Sequence, residues 1–270
     1  MIEYRDLQNI AEMRDLIELE IRAWQLTDRD AVPLHMMMAI QHSGGSIIGA
    51  FDTENDDTLI GFSLAFPTKD RELLWSHMAA VDPTVQGQNI GFWLKQAQRK
   101  WALENGYTKI GWTYDPMARR NARFNLHKLA VQVTDYHENF YGEMTDGLNA
   151  GLPSDRFEVY WHLNNTRVIK NAAGDIVDQQ YDLTTSNILL AHEADSLRYN
   201  NPESWSQPFY AIEIPYDASD MKMHHLSRIQ RWQQYFRMLM THAFTEKYQV
   251  HDFILTDTKR CCYILKQTPS

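Results

Sequence analysis

The sequence contains few cysteines, no long hydrophobic run and no excess of positive charge, and each absence excludes a class of protein. The two cysteines, Cys261 and Cys262, are neighbours, and adjacent cysteines neither bridge each other readily nor have the spacing of metal ligands. No apolar segment reaches the length that spans a bilayer. A net charge of −9 disfavours nucleic acid as a partner, because phosphate neutralisation requires clustered lysine and arginine. We therefore expect packing cysteines, no membrane span and no nucleic-acid partner.

The residues that are present are typical of a globular chain. The 270 residues can form one large or two modest domains, and 44% hydrophobic with 23% charged residues lies in the ordinary soluble range. The first residues, MIEYRDLQNIAEM, carry acidic residues and helical periodicity, whereas a secretory signal has a basic segment followed by an apolar one. The sequence thus favours a cytoplasmic location.

Hydrophobic periodicity predicts an α+β fold in the first part of the chain. Apolar residues at helical spacing indicate a first helix that Asp6 caps and that ends near Leu26. Alternating apolar segments predict strands at 44–52, 57–67, 72–81 and 108–115. A helix follows the third strand and ends at Gly106, and Asp115-Pro116 supplies the N-cap and first-turn proline of another helix. An antiparallel meander and a βαβ crossover therefore share one mixed sheet.

The character of the sequence changes after an alternating strand at 156–163. This strand completes a first domain, 1–165, and the polar segments that follow it are typical of loops, including the poorly periodic run 194–208. Beyond them the pattern predicts a strand at 209–215, a long amphipathic helix and a hairpin at 251–267. These elements predict a smaller C-terminal α+β lobe at 166–270.

A loop of small residues, QGQNIG from Gln86 to Gly91, precedes the helix that follows the third strand. The first amides of a helix have no intrahelical acceptor and lie at the positive end of its dipole, so they suit a phosphate or pyrophosphate. Glycines let the backbone approach a ligand, and asparagine, here Asn89, tolerates positive φ. The alternative is a turn whose glycines serve packing alone. A P-loop and a dinucleotide-binding loop fit poorly, because no Lys-Ser or Lys-Thr follows the glycines and the strand follows a hairpin.

The residues around this loop resemble a known acyl-CoA-binding signature. The signature consists here of Val81-Asp82-Pro83, the loop Gln86-Gly87-Gln88-Asn89-Ile90-Gly91 and the helical residue Leu94. This order is similar to the Val-x-Pro, Gln/Arg-x-x-Gly-x-Gly/Ala and leucine-bearing helix of the GNAT superfamily of acyltransferases. A poorly characterised branch of predicted GNAT proteins is similar also in having an extra C-terminal lobe. The resemblance covers the first predicted domain and implies a GNAT-like mixed sheet flanked by helices.

The resemblance also implies a set of CoA-binding residues. Backbone groups of Ala79 and Val81 would pair with the pantetheine arm as a pseudo-strand. Amides of the loop and first helical turn would take the pyrophosphate, which involves Gln86, Gly87, Gln88, Asn89, Ile90, Gly91 and Phe92. Asn121, near the start of the next helix, matches an asparagine that often touches the pantetheine arm. Asn89 departs from the family pattern, because the family usually has a glycine at this position.

Acyl transfer from a thioester requires a base for the nucleophile and an acid for the departing thiolate. His77, on the third strand, is the candidate base, because an imidazole titrates near neutral pH; the alternative is a hydrogen-bonded histidine of the sheet. Many GNAT enzymes use a tyrosine acid in a Tyr-x-x-x-Gly arrangement, but Leu126 and Ala130 occupy those two positions here. The acid is then Tyr136, Tyr141 or solvent, or no transfer occurs.

A charged pair later in the chain is the candidate for substrate binding. Arg156, beside Asp155, has a guanidinium fork that suits a substrate carboxylate; a salt bridge that braces the domain is the alternative. His224 and His225 begin a helix and share no face with acidic ligands, so we expect no metal site.

Together these observations predict an acyl-CoA-dependent acyltransferase that transfers an acetyl group from acetyl-CoA to the amine of a small cytoplasmic molecule. The expected partners are acetyl-CoA, or another acyl-CoA, as donor and a small-molecule acceptor, and a homodimer is left open. Two alternatives stand beside this prediction. One is a non-catalytic CoA-binding or regulatory module, which the missing tyrosine favours, and the other is a transferase that uses an acyl-carrier-protein donor.

Overall fold

The computed structural model describes residues 1–85, 88–142, 152–193, 196–256 and 258–267. The first half of the chain contains two helices after its first strand, then three consecutive strands, then a helix and a further strand, and a second sheet forms near the C-terminus. The strands are β1 Ile2–Asp6, β2 Ser46–Asp52, β3 Thr58–Pro67, β4 Leu73–Val81, β5 Lys109–Tyr114, β6 Gln132–His137, β7 Arg156–His162, β8 Ile188–Glu193, β9 Ser196–Tyr199, β10 Phe209–Ile214, β11 Tyr248–Leu255 and β12 Cys261–Gln267.

The helices differ widely in length, and two short helical segments adjoin them. The α-helices are α1 Ile10–Trp24, α2 Leu34–His42, α3 Ile90–Glu104, α4 Arg119–Ala122, α5 Thr166–Ala172, α6 Ala218–His224 and α7 Leu226–Thr245. A 3-10 turn spans Pro83–Val85, and a π-helix spans Arg123–Leu129 directly after α4. No helix in the described part of the chain combines the length and apolar character needed to cross a bilayer.

The chain packs as two compact units. The first contains residues 1–112 and 161–172, and the second contains residues 113–160 and 173–270. The predicted boundary near residue 165 stays a prediction.

The first unit is built on a mixed sheet in which β1, β2, β3, β4 and β5 lie in that order. The pairs from β1 to β4 are antiparallel, and β4 and β5 are parallel. Helices cover both faces: α1 and α2 pack on one face through residues such as Leu16 and Met37, and α3 packs on the other through Ile90 and Leu94. The α+β prediction with a mixed sheet flanked by helices is therefore confirmed.

The second unit contains the antiparallel pair β6 and β7 and a five-stranded sheet in the order β11-β12-β10-β8-β9. The long helix α7 contributes buried residues that recur at helical spacing, among them Trp232, Phe236 and Met240. Cys261 and Cys262 are buried and unbridged in β12, and burial raises the pKa of Cys262 to about 12. The two cysteines are packing residues, as the sequence predicts.

Two predicted helix caps are wrong. Asp6 ends strand β1, and the side chain that caps α1 is Asn9, whose Oδ1 accepts the Glu12 N–H at 3.0 Å. Asp115 does not cap a helix either, since α4 begins at Arg119 with Ala118 at the N-cap. Instead the Asp115 carboxylate accepts the Met117 N–H at 2.8 Å and closes a turn after β5.

Candidate functional site

Strand β4 carries a bulge at His77. On β3, Leu64 pairs with Met78 and Ala65 pairs with Ser76, so His77 has no partner of its own in this ladder. A bulge inserts one residue and reverses the side-chain alternation of the strand beyond it. The bulge therefore sets which β4 side chains face α3.

The effect of the bulge is visible on either side of it. Ser76 and Val81 would lie on opposite faces of an unbroken strand, because they are an odd number of residues apart. Here both face α3: the Ser76 hydroxyl accepts a hydrogen bond from Lys95 of α3, and Val81 packs in the cluster that α3 buries. His77 itself is exposed, whereas Ser76 is buried.

The free edge of β4 is formed by the backbone at its C-terminal end. Asp82 N–H donates to the Ile60 carbonyl at 2.8 Å. Because hydrogen-bonded and non-hydrogen-bonded residues alternate along an antiparallel pair, Ala79 and Val81 direct their N–H and C=O groups away from β3. These groups are those that the resemblance assigns to a pantetheine arm.

The neighbouring strand does not satisfy these backbone groups. The β4–β5 ladder runs from Leu73 with Lys109 to Trp75 with Gly111, and the described residues contain no β4–β5 pairing beyond it. The edge of β4 that includes Ala79 is thus open for an extended ligand to add hydrogen bonds as a strand would.

The turn after β4 is held by the Asp82 carboxylate. One oxygen accepts the Thr84 N–H at 2.9 Å and the Thr84 hydroxyl at 2.6 Å, and the other accepts from Arg22 at 3.2 Å. Burial acts to raise the pKa of Asp82, but these hydrogen bonds outweigh it and the pKa lies below its usual value. The ionised carboxylate therefore fixes the chain where it leaves the strand.

The chain enters α3 through Asn89, which adopts the left-handed conformation with φ of 59°. The expectation that Asn89 can take the conformation of a glycine is confirmed. Phe92 and Trp93 donate their N–H groups to the Asn89 carbonyl at 3.0 and 3.1 Å. The amides of Ile90 and Gly91 have no such acceptor within the described chain, so they are the first-turn donors available to an anion. Gln86 and Gly87 lie outside the described residues, and Gln88 is exposed.

The structure does not require a glycine at position 91. A Cβ built on Gly91 meets only Val81 Cγ2, at 3.7 Å, which is an ordinary van der Waals contact. Gly91 also lacks the positive φ that favours glycine at other positions of this chain. The bare backbone therefore leaves room at the start of α3 that a side chain would fill, which fits the requirement of a phosphate-binding turn.

The His77 ring lies beside Phe66, with 5.7 Å between ring centroids. Although the residue is exposed overall, neighbouring atoms partly desolvate the ring, and this desolvation lowers the pKa of His77 below its usual value. The imidazole is thus predominantly neutral at pH 7 and able to accept a proton.

A buried lysine beneath this strand was not predicted. Lys95 is 5% exposed, and its ammonium donates to Ser76 at 3.0 Å and to Gln98 Oε1 at 2.8 Å, while lying 3.9 Å from the centroid of the Trp112 ring. Burial lowers the pKa of Lys95 to about 7. Position 95 follows Leu94 on the buried side of α3, and this periodicity is the one signal in the sequence that could have indicated burial.

In the second unit, Tyr136 and Asp155 belong to one network. The Asp155 carboxylate is buried and accepts hydrogen bonds from the Tyr136 hydroxyl, from the Asn139 N–H at 3.0 Å and from Arg237 at 2.7 and 3.2 Å. Burial, followed by the charge of Asp155, raises the pKa of Tyr136 well above its usual value. The Tyr136 proton is therefore held by Asp155.

Tyr141 and Arg156 are more accessible. Tyr141 is 51% exposed, its hydroxyl lies 3.2 Å from that of Thr113, and the Arg156 guanidinium lies 5.3 Å from its ring centroid. Asn121 is exposed on α4. The structure thus groups Tyr141 with Arg156 and Tyr136 with Asp155.

The two positions that depart from the family pattern differ in their effect. Leu126 is buried in the π-helix and has no acidic group to offer. Ala130 adopts the left-handed conformation, with φ of 58°, at the position where the family has a glycine. The backbone of the motif is thus retained although its tyrosine is missing. Within the described chain no three His, Cys, Asp or Glu side chains are grouped as metal ligands.

Comparison with protein families identifies one match. Residues 10–129 match the model of the acetyltransferase (GNAT) family, a range that includes β4, the loop and α3. The sequence matches no curated protein.

Solved structures share the fold of this chain at low sequence identity. The ribosomal-protein-S18-alanine N-acetyltransferase from Escherichia coli has 14% identity and a TM-score of 0.50, with 62% of this chain and 96% of that chain covered. An N-acetyltransferase from Staphylococcus aureus Mu50 has 13% identity and a TM-score of 0.51, covering 61% and 99%. A Salmonella typhimurium protein solved with its cofactor acetyl-CoA has 17% identity and a TM-score of 0.50, covering 61% and 95%.

Proposed function

The chain carries a domain of the GNAT acetyltransferase family over residues 10–129, and from this premise we propose that it transfers an acetyl group from acetyl-CoA to the amine of a small molecule. The observation that carries the proposal is the combination of an open β4 edge with an α3 start whose glycine serves no packing purpose. N-acetyl transfer is also the activity named for two structural neighbours, and a third was solved with acetyl-CoA.

The donor would bind through the backbone. The outward N–H and C=O groups of Ala79 and Val81 would pair with the amides of the pantetheine arm, and the amides of Ile90 and Gly91 would take the pyrophosphate at the positive end of α3. The Phe92 amide already donates to Asn89, so it contributes less than its neighbours. Gln86, Gly87, Gln88 and Asn121 stay predictions for this site.

His77 would act as the base. The acceptor amine attacks the thioester carbonyl, the nitrogen loses a proton to the neutral imidazole, and the carbon–sulfur bond breaks as the thiolate leaves. A lowered imidazole pKa keeps His77 in the accepting form at neutral pH. The bulge places this side chain on the exposed side of β4 while the buried Ser76 beside it anchors the strand to α3.

Tyr141 would supply the proton to the thiolate. Its hydroxyl is exposed, whereas the hydroxyl of Tyr136 donates to Asp155 and burial disfavours its ionisation. Asp155, which was a candidate for substrate binding with Arg156, is fully occupied by Arg237, Tyr136 and Asn139. Arg156 therefore carries the substrate-binding prediction alone.

A second function has one observation in its favour. Leu126 replaces the usual tyrosine and is buried, so a CoA-binding module without transferase activity is the competing candidate. It would bind acetyl-CoA with the same backbone groups and transfer nothing.

A transfer assay separates the two functions. The full chain is incubated with acetyl-CoA and a panel of small amines, free thiol is followed optically, and acceptors are identified by their acetyl mass increase. We expect thiol release that depends on one class of amine and falls in His77→Gln. Acetyl-CoA binding without acetylation of any amine would establish the non-catalytic module instead.

A further inference from the structure

The stretch of β4 around His77 receives little support from the neighbouring strands. On the β5 side the ladder ends at the pair of Trp75 with Gly111, and the described residues contain no β4–β5 pair beyond it. On the β3 side the bulge leaves His77 without a partner between Ser76 and Met78. A bulged residue is unpaired, and the ladder around it is locally disrupted. The direction in which His77 projects therefore depends on other contacts near the bulge.

A side-chain hydrogen bond from α3 reaches the residue directly before the bulge. The Lys95 ammonium donates to the Ser76 hydroxyl at 3.0 Å, and only 5% of Lys95 and 4% of Ser76 are exposed. Successive side chains of a strand point to opposite faces. A contact that holds Ser76 toward α3 thus also presents the next residue, His77, to the other side.

The contacts of Lys95 are unfavourable for stability taken alone. Its partners are the Ser76 hydroxyl, Gln98 Oε1 at 2.8 Å and the Trp112 ring, none of which is a carboxylate. A buried ammonium without a carboxylate is costly, and an apolar residue of similar volume often serves stability better.

Gln98 adds a second unfavourable group to this arrangement. Its Oε1 accepts from Lys95, and its Nε2 is then buried without an acceptor in the described part of the chain. Native proteins place such violations mainly at functional sites. A role in the neighbouring site therefore accounts for Lys95 better than stability does.

We propose that Lys95 is a positioning residue that acts through Ser76, because its hydrogen bond holds the β4 bulge in the register that directs the His77 imidazole out of the sheet. The inference rests on the proposed function, since it concerns the residue that would act as base. Lys95 itself is buried and would touch neither substrate.

The donor groups of the same strand have a separate support. Ala79 and Val81 each pair with a residue of β3 beyond the bulge. Loss of the hydrogen bond between Lys95 and Ser76 should therefore lower kcat, by up to about 100-fold for a misplaced base, and leave acetyl-CoA affinity close to that of the wild type.

The direct test is the titration of the His77 ring, followed by NMR on the full chain without ligands and assigned by the resonance that His77→Gln removes. Neighbouring atoms hold the His77 pKa below the ordinary value of about 6.5. A ring released from its position should titrate closer to that value. We expect this rise in Ser76→Ala and in Lys95→Met.

The double variant separates the hydrogen bond from the charge of Lys95. If the two residues act through one hydrogen bond, adding Lys95→Met to Ser76→Ala should shift the His77 titration no further. A further shift would mean that Lys95 acts through its charge and would overturn the inference.

Ser46→Ala is the matched control. It removes a buried serine hydroxyl from β2 of the same sheet, one that has no hydrogen-bond partner in the described chain, and it should leave the His77 titration unchanged. An unchanged titration in Ser76→Ala, or an equal rise in Ser46→Ala, overturns the inference.

Acetyl-transfer assays on the same samples keep the two proposals distinct. A raised His77 titration in Ser76→Ala without acetylation of any amine refutes the proposed transferase and supports the positioning of His77. Acetyl transfer that depends on His77 but is the same in wild type, Ser76→Ala and Lys95→Met refutes only the positioning role.

Discussion

Gly91 is the residue at which the proposed pyrophosphate binding and the stability of α3 make opposite demands. The protein has room for a Cβ at this position, and glycine costs a helix about 1 kcal/mol relative to alanine. Gly91→Ala should therefore raise the free energy of unfolding by a few tenths to about 1 kcal/mol. It should also lower acetyl-CoA affinity, because the methyl group occupies the space that a pyrophosphate needs.

Denaturant titration and calorimetry test both effects of Gly91→Ala. The matched control is Asn89→Gly, which relieves the left-handed φ of 59° without adding a side chain and should leave donor affinity close to that of the wild type. If Gly91→Ala gains stability but keeps full affinity, the glycine is a neutral feature of the turn.

Lys95 makes the stability of the protein depend on pH. Its pKa is about 7 in the folded protein and about 10.4 in an unfolded chain, so the unfolded state binds more protons between these values. Stability should rise with pH across this window by up to about 1.4 kcal/mol per pH unit, and Lys95→Met should remove this rise. Urea titrations at pH 7, 8 and 9 measure the slope.

The comparison of slopes is independent of any packing change that Lys95→Met causes. Lys69→Met, which removes an exposed lysine, should keep the wild-type slope. Equal slopes in wild type and Lys95→Met would mean that Lys95 stays charged throughout the window.

The backbone conformation of a single residue could be predicted from the sequence more readily than the surroundings of its side chain. The left-handed conformation of Asn89 was predictable, because few residue types tolerate it. The burial of Lys95 was not, since lysine is almost never fully buried and its partners Ser76, Gln98 and Trp112 come together only in the fold.

At the scale of elements, the bulge in β4 is the feature that makes His77 a candidate base. Because the His77 pKa lies below its usual value of about 6.5, kcat/KM should stay level near pH 7 and fall only as the pH drops through the lowered pKa. His77→Gln should remove this fall in kcat/KM at low pH, the acid limb of the profile. The measurement is the pH profile of acetyl transfer.

His42→Gln is the control for His77→Gln, since His42 is an exposed histidine on α2 and its loss should leave the profile unchanged. Persistence of the acid limb in His77→Gln would remove His77 as the base.

Long elements with clear periodicity were predictable, and short ones were not. The strands that became β2 to β5 and the helices α1, α3 and α7 follow from apolar spacing. Strand β1 was not predicted, because its register against β2 depends on pairing across 40 or more residues. Helix α2 and strands β6, β8 and β9 were not predicted. Strand β8, for example, forms through its pairing with β9 and β10, which the local sequence does not show.

At the scale of the whole molecule, the network around Asp155 should stabilise the second unit without serving the donor site. Removing Arg237 leaves the buried Asp155 charge without its main partner, and breaking a buried pair costs about 3 kcal/mol. Arg237→Met should lower the free energy of unfolding by about this amount. Acetyl-CoA affinity, measured at a temperature at which Arg237→Met is still folded, should not change, since the proposed donor groups belong to the first unit.

Arg231→Met, which removes an exposed arginine from the same helix, should have little effect on stability. Equal destabilisation by both variants would show that the network contributes nothing specific. A loss of donor affinity in Arg237→Met would show that the second unit takes part in donor binding.

The change of composition near residue 165 predicts a larger α+β part followed by a smaller lobe, and this division stays a prediction. The two compact units cannot be predicted from composition, because they are not continuous in sequence. Residues 113–160 belong to the second unit, and residues 161–172, which follow them, belong to the first. The composition does not change where the chain passes from the second unit back to the first, so only the contacts in the structure show this passage.

Acetyl-CoA affinity is the direct test of pyrophosphate binding at the start of α3. Calorimetry should compare acetyl-CoA with acetyl-phosphopantetheine, which lacks the pyrophosphate, on wild type and Gly91→Val. If the amides at the start of α3 bind pyrophosphate, wild type should bind acetyl-CoA at least about tenfold more tightly than acetyl-phosphopantetheine. Gly91→Val should lose this preference. Equal affinity of wild type for the two ligands, or an unchanged preference in Gly91→Val, would exclude pyrophosphate binding by these amides.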